Sequence, residues 1–120
     1  MRIDINIRDK VTIINNVDLS DLARVYKEAK EARLKIDPGE SESIAYLYQT
    51  EEEIMFCTCD KAAIRLISYM ELEKKSISLE EALRDTNYNE KNLYPRHYEK
   101  VYKKNIQEGK TLRIYFKRLT

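Results

Sequence analysis

Gly39-Glu40-Ser41-Glu42-Ser43-Ile44-Ala45 and, further on, Ile54-Met55-Phe56-Cys57-Thr58-Cys59-Asp60 decide how this chain is read. A helix from about Ser41 to Glu51 climbs about 16 Å at ~1.5 Å per residue. A strand from Ile54 to Cys59 runs back about 20 Å at ~3.3 Å per residue. The two lengths nearly cancel. Glu42 and Asp60, 18 residues apart, therefore return to one edge of the domain, where two carboxylates can share a divalent cation.

The Ile54–Cys59 stretch has few polar atoms, as expected of a strand buried on both faces, and such strands are usually parallel. Asp60 ends it and is placed to cap a following helix whose apolar face is Ala62, Ala63, Leu66, Ile67 and Met70. Upstream, Ser20 is a fitting N-cap for a helix over 21–35, with Leu22, Val25, Ala29 and Ala32 inward. Asp37-Pro38-Gly39 breaks the chain before the next helix. Ile3, Ile5 and Ile7 alternate with polar residues, and Val11-Thr12-Ile13-Ile14 is β-branched, so two strands are expected within residues 1–15. Ser78-Leu79-Glu80-Glu81 is a capping box for a short helix to about Arg84. Residues 87–92 read as a polar loop. Pro95 suits the first turn of another helix and Gly109 its end. Leu112, Ile114 and Phe116 alternate as a last strand.

This order predicts one α/β domain over residues 1–120, a three-layer-like sandwich with a small, mostly parallel sheet flanked by helices. In such sheets ligands collect at the carboxyl ends of the strands, and Asp60 lies at such an end.

Composition bounds the rest. The 120 residues suit a single core, with 42% hydrophobic and 36% charged residues. No apolar run is long enough to span a membrane and the start lacks the apolar segment of a signal peptide, so a cytoplasmic protein is expected. Cys57 and Cys59 share a strand face, their Cα atoms about 6.5–7 Å apart at the limit of disulfide reach, and read as buried thiols. The single histidine, His97, is too remote to complete a zinc site with them. Charge is uneven. Residues 37–60 hold seven acids and no Lys or Arg, whereas residues 91–120 hold nine basic residues against Glu99 and Glu108. The basic stretch interleaves aromatics with cations, as a surface that tracks a phosphate backbone does. The same residues also read as a packed helix, with Tyr98, Val101, Tyr102 and Ile106 inward and the lysines solvated.

The Gly39–Ala45 motif, the apolar strand, and Asp60 with Lys61-Ala62-Ala63-Ile64-Arg65 behind it resemble the second half of the PIN domain, in its branch with a Gly-Glu-x-Glu helix start. The resemblance spans roughly residues 8–75, and the basic tail loosely. It implies a compact α/β nuclease with a parallel sheet, an acidic cluster holding Mg²⁺ or Mn²⁺, single-stranded RNA as substrate, and in many members an antitoxin partner. On it, Glu42 and Asp60 are the metal ligands and catalytic acids, Thr58 supports them, and Glu40 is a further metal candidate. The chain departs from the family at its start. Only 38 residues precede Gly39, and Asp4 does not sit in the family's Asp-Thr-Asn or Asp-Thr-Ser motif. A shortened PIN-like domain without the usual first strand and helices is expected. Its partly uncovered sheet implies a homodimer.

The plainer alternative is that Glu42 favours a helix N-terminus, Asp60 caps the next helix, and neither binds metal. The function that goes with it is a non-catalytic module binding nucleic acid or protein.

Overall fold

The computed structural model describes residues 17–84 and 99–118. Over these the chain is mostly helical, with helices around a two-stranded parallel sheet. In order come α1 (Leu19–Glu31), α2 (Pro38–Gln49), β1 (Phe56–Cys57), α3 (Lys61–Tyr69), a 3-10 turn (Glu73–Lys75), β2 (Ser76–Ile77), α4 (Leu79–Arg84) and α5 (Glu99–Arg118). The expected strands within residues 1–15, the loop at 87–92, the helix start at Pro95 and His97 lie outside the described residues.

Helix starts follow the short polar side chains closely. α1 is capped by Asp18 rather than Ser20; the Asp18 carboxylate accepts from the Ser20 amide at 2.8 Å, which moves the start back to Leu19. α2 begins at Pro38, not Ser41. Asp37 accepts from the Glu40 amide at 2.8 Å, and Pro38 takes the first helical position, where its missing N–H costs nothing. The apparent chain break is thus a helix start. α3 is capped as expected, Asp60 accepting from Ala63 at 3.0 Å. In α4 the Ser78 hydroxyl accepts from the Glu81 amide at 3.1 Å.

Helix ends are less obvious from sequence. α1 stops at Glu31 rather than Lys35, because Arg33 adopts φ 59°. The Arg33 amide donates to Lys30 and the Leu34 amide to Ala29. α3 ends identically: Glu71 has φ 59°, its amide donates to Ser68 and that of Leu72 to Ile67. Both are Schellman ends, usually made with glycine.

Among the described residues the sheet has two short strands. Among the described residues, Phe56–Cys57 of the 54–59 run pairs with β2 in parallel register, Phe56 opposite Ser76 and Cys57 opposite Ile77, and Thr58 adds an isolated bridge. Met55 is exposed and Phe56 and Cys57 are half-buried, so the run is not covered on both faces.

The largest correction concerns the C-terminal segment. Leu112, Ile114 and Phe116 do not form a strand, and Gly109 does not end a helix; all four lie inside α5. Leu112 and Phe116 pack on the main core while Ile114 is exposed. The two inward residues are four apart, which is helical spacing as well as a multiple of strand spacing. Alternation over so few positions does not separate the two.

The core is Val25, Ala29 and Ala32 of the α1 region, Ile44 and Ala45 of α2, and Ala63, Leu66, Ile67, Tyr69 and Met70 of the α3 region, all buried. α5 lies across α3. At the crossing, a Cβ on Gly109 would stand 2.3 Å from the Arg65 carbonyl oxygen and 2.7 Å from the Ser68 Cβ. The two helices touch there through backbone. Around the contact, Arg65 pairs with Glu108 at 2.7 Å and bonds Asn105 at 2.9 Å. Further along, Lys117 reaches Glu28 and Glu31 of α1, both at 2.7 Å, and Tyr69 bonds Glu31. No helix among the described residues is long and apolar enough to cross a membrane.

Candidate functional site

β1 and β2 run the same way, so their carboxyl ends share an edge. The residues leaving that edge are Thr58, Cys59 and Asp60 after β1 and Ser78 after β2. Asp60 and Ser78 then start α3 and α4. α2 joins them with its own first turn: Glu40 Oε1 accepts the Thr58 hydroxyl at 3.2 Å, although 18 residues separate the two. Thr58 Oγ1 in turn accepts from the Asp60 amide at 3.1 Å. A single hydroxyl thus ties the start of α2 to the end of β1 and orients the chain into α3.

The structure therefore brings Glu40, Thr58 and Asp60 together. Glu42 is placed differently. It is exposed, whereas Glu40 is buried at 5% exposure. Two residues along a helix is a turn of about 200°, so Glu42 projects from the other side of α2. The sequence ranked Glu42 ahead of Glu40; the carboxylate that meets Thr58 is Glu40. A period-3.6 reading with Ile44, Ala45 and Leu47 inward could have found this, because Glu40 lies four residues before Ile44.

Electrostatics at the corner pull in two directions. Burial pushes the Glu40 carboxyl above its usual range, partly offset by the Thr58 hydrogen bond. The first turns of α2 and α3 present backbone N–H groups and the positive ends of helix dipoles, which favour anions. Burial also pushes the Cys57 thiol up to about 12. A thiol so rarely ionised is a poor nucleophile, so Cys57 is not the reactive group here.

Two carboxylates and a hydroxyl are oxygen donors of the kind Mg²⁺ and Mn²⁺ accept, and Mg²⁺ keeps several waters when protein ligands are few. Burial raises the cost of ionising Glu40, and a divalent charge would offset that cost. Among the described residues no group of three or more His, Cys, Asp or Glu side chains is arranged to hold a metal ion.

No family model, curated protein or solved structure matches the chain.

Proposed function

We propose that the chain is a PIN-like ribonuclease, dependent on Mg²⁺ or Mn²⁺, that hydrolyses single-stranded RNA at the Glu40–Thr58–Asp60 corner. The observation that carries this is the Glu40–Thr58 hydrogen bond at 3.2 Å, which joins a buried carboxylate of α2 to the carboxyl end of a parallel strand, two residues before Asp60. Glu40 and Asp60 would hold the ion. A bound divalent cation would polarise a phosphate oxygen and lower the pKa of an attacking water. Thr58 keeps the Glu40 carboxylate oriented, and the first-turn amides of α2 and α3 favour the phosphate charge. An antitoxin partner and a homodimer belong to the same reading.

One observation favours a second reading, a non-catalytic nucleic-acid-binding or protein-interaction module with part of the PIN fold. The acids that meet among the described residues number fewer than the three a caged ion needs.

One experiment separates the two. Single-stranded RNA is incubated with the protein and Mn²⁺, beside Glu40→Gln and Asp60→Asn. Cleavage by the wild type that both variants lose supports the nuclease. Salt-sensitive binding with no cleavage by any of the three supports the module. Light scattering after size exclusion tests the dimer, and a clean 14.3 kDa species would exclude it.

A further inference from the structure

A groove of about 800 Å³ runs beside the C-terminal half of α5. Lys110, Arg113, Ile114, Lys117 and Arg118 form its helix wall, at the i, i+3, i+4, i+7, i+8 spacing of one helix face. Lys74 of the 3-10 turn adds a cation from the other side. These cations are not equivalent. Arg113 pairs with Glu71 at 2.8 Å and donates to the Tyr69 carbonyl at 2.6 Å. Lys117 is held by Glu28 and Glu31. Those two fasten the wall to the core. Lys74, Lys110 and Arg118 are exposed and take part in no ion pair among the described residues. Glu73 also borders the groove, with one carboxylate oxygen buried. The unneutralised charge is positive.

The shape of that charge selects the ligand. Lys110 and Arg118 are about 12 Å apart along the helix at ~1.5 Å per residue. A small anion is gripped by donors that converge; cations strung along a helix face match successive phosphates. Between them Ile114 is 58% exposed, giving bases an apolar surface.

We propose that this groove binds the phosphate backbone of a single-stranded nucleic acid, at a site separate from the Glu40–Thr58–Asp60 corner. α3 keeps the two apart. Asp60 caps its beginning, Met70 its end, and the groove borders that end through Ser68 and Glu71. Ten residues of helix put about 15 Å between them. The proposal rests on the reading of single-stranded RNA as substrate, but it does not need cleavage.

The test is fluorescence anisotropy with a short labelled oligo-uridine at low salt in EDTA. Wild type is compared with the triple variant Lys74→Ala, Lys110→Ala, Arg118→Ala, and with Glu40→Gln, Asp60→Asn. The triple variant should bind at least about tenfold more weakly. Its log-affinity against log-salt slope should be shallower by about 2, at ~0.7 for each of three phosphates no longer neutralised. The carboxyl variants should bind as tightly as wild type or tighter. The three cations are exposed and make no ion pair among the described residues, so the triple variant should keep the wild-type melting midpoint, which separates weakened binding from a damaged fold. Wild-type affinity in the triple variant would overturn the groove, as would tripolyphosphate binding in place of the oligonucleotide. Binding that follows this pattern with no Mn²⁺-dependent cleavage would overturn the nuclease and support the groove.

Discussion

Glu40 shows what one side chain can reveal. Its carboxyl is buried and its pKa is raised by that burial, so the fold favours the protonated form. The stability it contributes is present below the ordinary glutamate value of 4.5 and is lost as pH rises through the raised folded value. Glu40→Gln keeps an oxygen for the Thr58 hydroxyl and removes the charge. The melting midpoint of this variant should match wild type in acid and exceed it at neutral pH. A variant less stable than wild type at pH 7 would show that the carboxylate is stabilised by its surroundings. The sequence pointed to this corner through the return path from Glu42 to Asp60, and Thr58 is found bonded to Glu40 in the first turn of α2. It did not show that Glu40 rather than Glu42 is the buried one, because a path length measures distance along the helix axis and not rotation about it.

At the scale of elements, the caps of α3 and α4 were legible, while the caps of α1 and α2 and the helix ends were not. Asp60, Ser78 and their helices could be read because a short polar side chain satisfies specific backbone amides. Asp60→Ala should cost about 1 kcal/mol, while Asp60→Asn should stay within about 0.5 kcal/mol in urea unfolding. That difference makes Asp60→Asn the fair control for chemistry. The ends of α1 and α3 were hidden because Arg33 and Glu71 hold the left-handed position that glycine usually marks. The glycine that does occur in this half of the chain, Gly109, misled. It sits in mid-helix to admit the α3 backbone, with an added Cβ meeting the Arg65 carbonyl oxygen at 2.3 Å. Gly→Ala in an exposed helix interior gains about 1 kcal/mol. Gly109→Ala should instead destabilise by about 1–3 kcal/mol through overpacking. A raised urea midpoint would mean that the helices separate at little cost.

At the scale of the whole molecule, charged side chains tie the last helix to the first. Lys117 bonds Glu28, which is buried, and Glu31, whose carboxyl is held below its usual range by Lys117 and then by the Tyr69 hydroxyl. Removing one partner of a buried pair costs about 3–5 kcal/mol. Lys117 is 31% exposed, so Lys117→Ala should cost less, about 2 kcal/mol. A depressed folded value means that Glu31 contributes stability above its ordinary 4.5 and loses it as pH falls. The gap between wild type and Lys117→Ala should therefore narrow in acid, measured by urea midpoints across pH. A gap that widens in acid would rule this account out. None of this long-range pairing could be read from sequence, since Glu28 and Lys117 are 89 residues apart and each looks like a solvated surface charge.

The notch at Gly109 keys the two crossing helices to each other. Every neighbouring position in α5 carries a side chain, so α5 cannot ratchet along α3 without a collision, and whatever rides on α5 keeps a fixed phase. One residue inserted between Gly109 and Lys110 would leave the crossing in place and swing the downstream stripe by about 100°. Lys117 would lose α1 and Arg118 would leave the groove, a frame error in space made by an edit that alters no side chain.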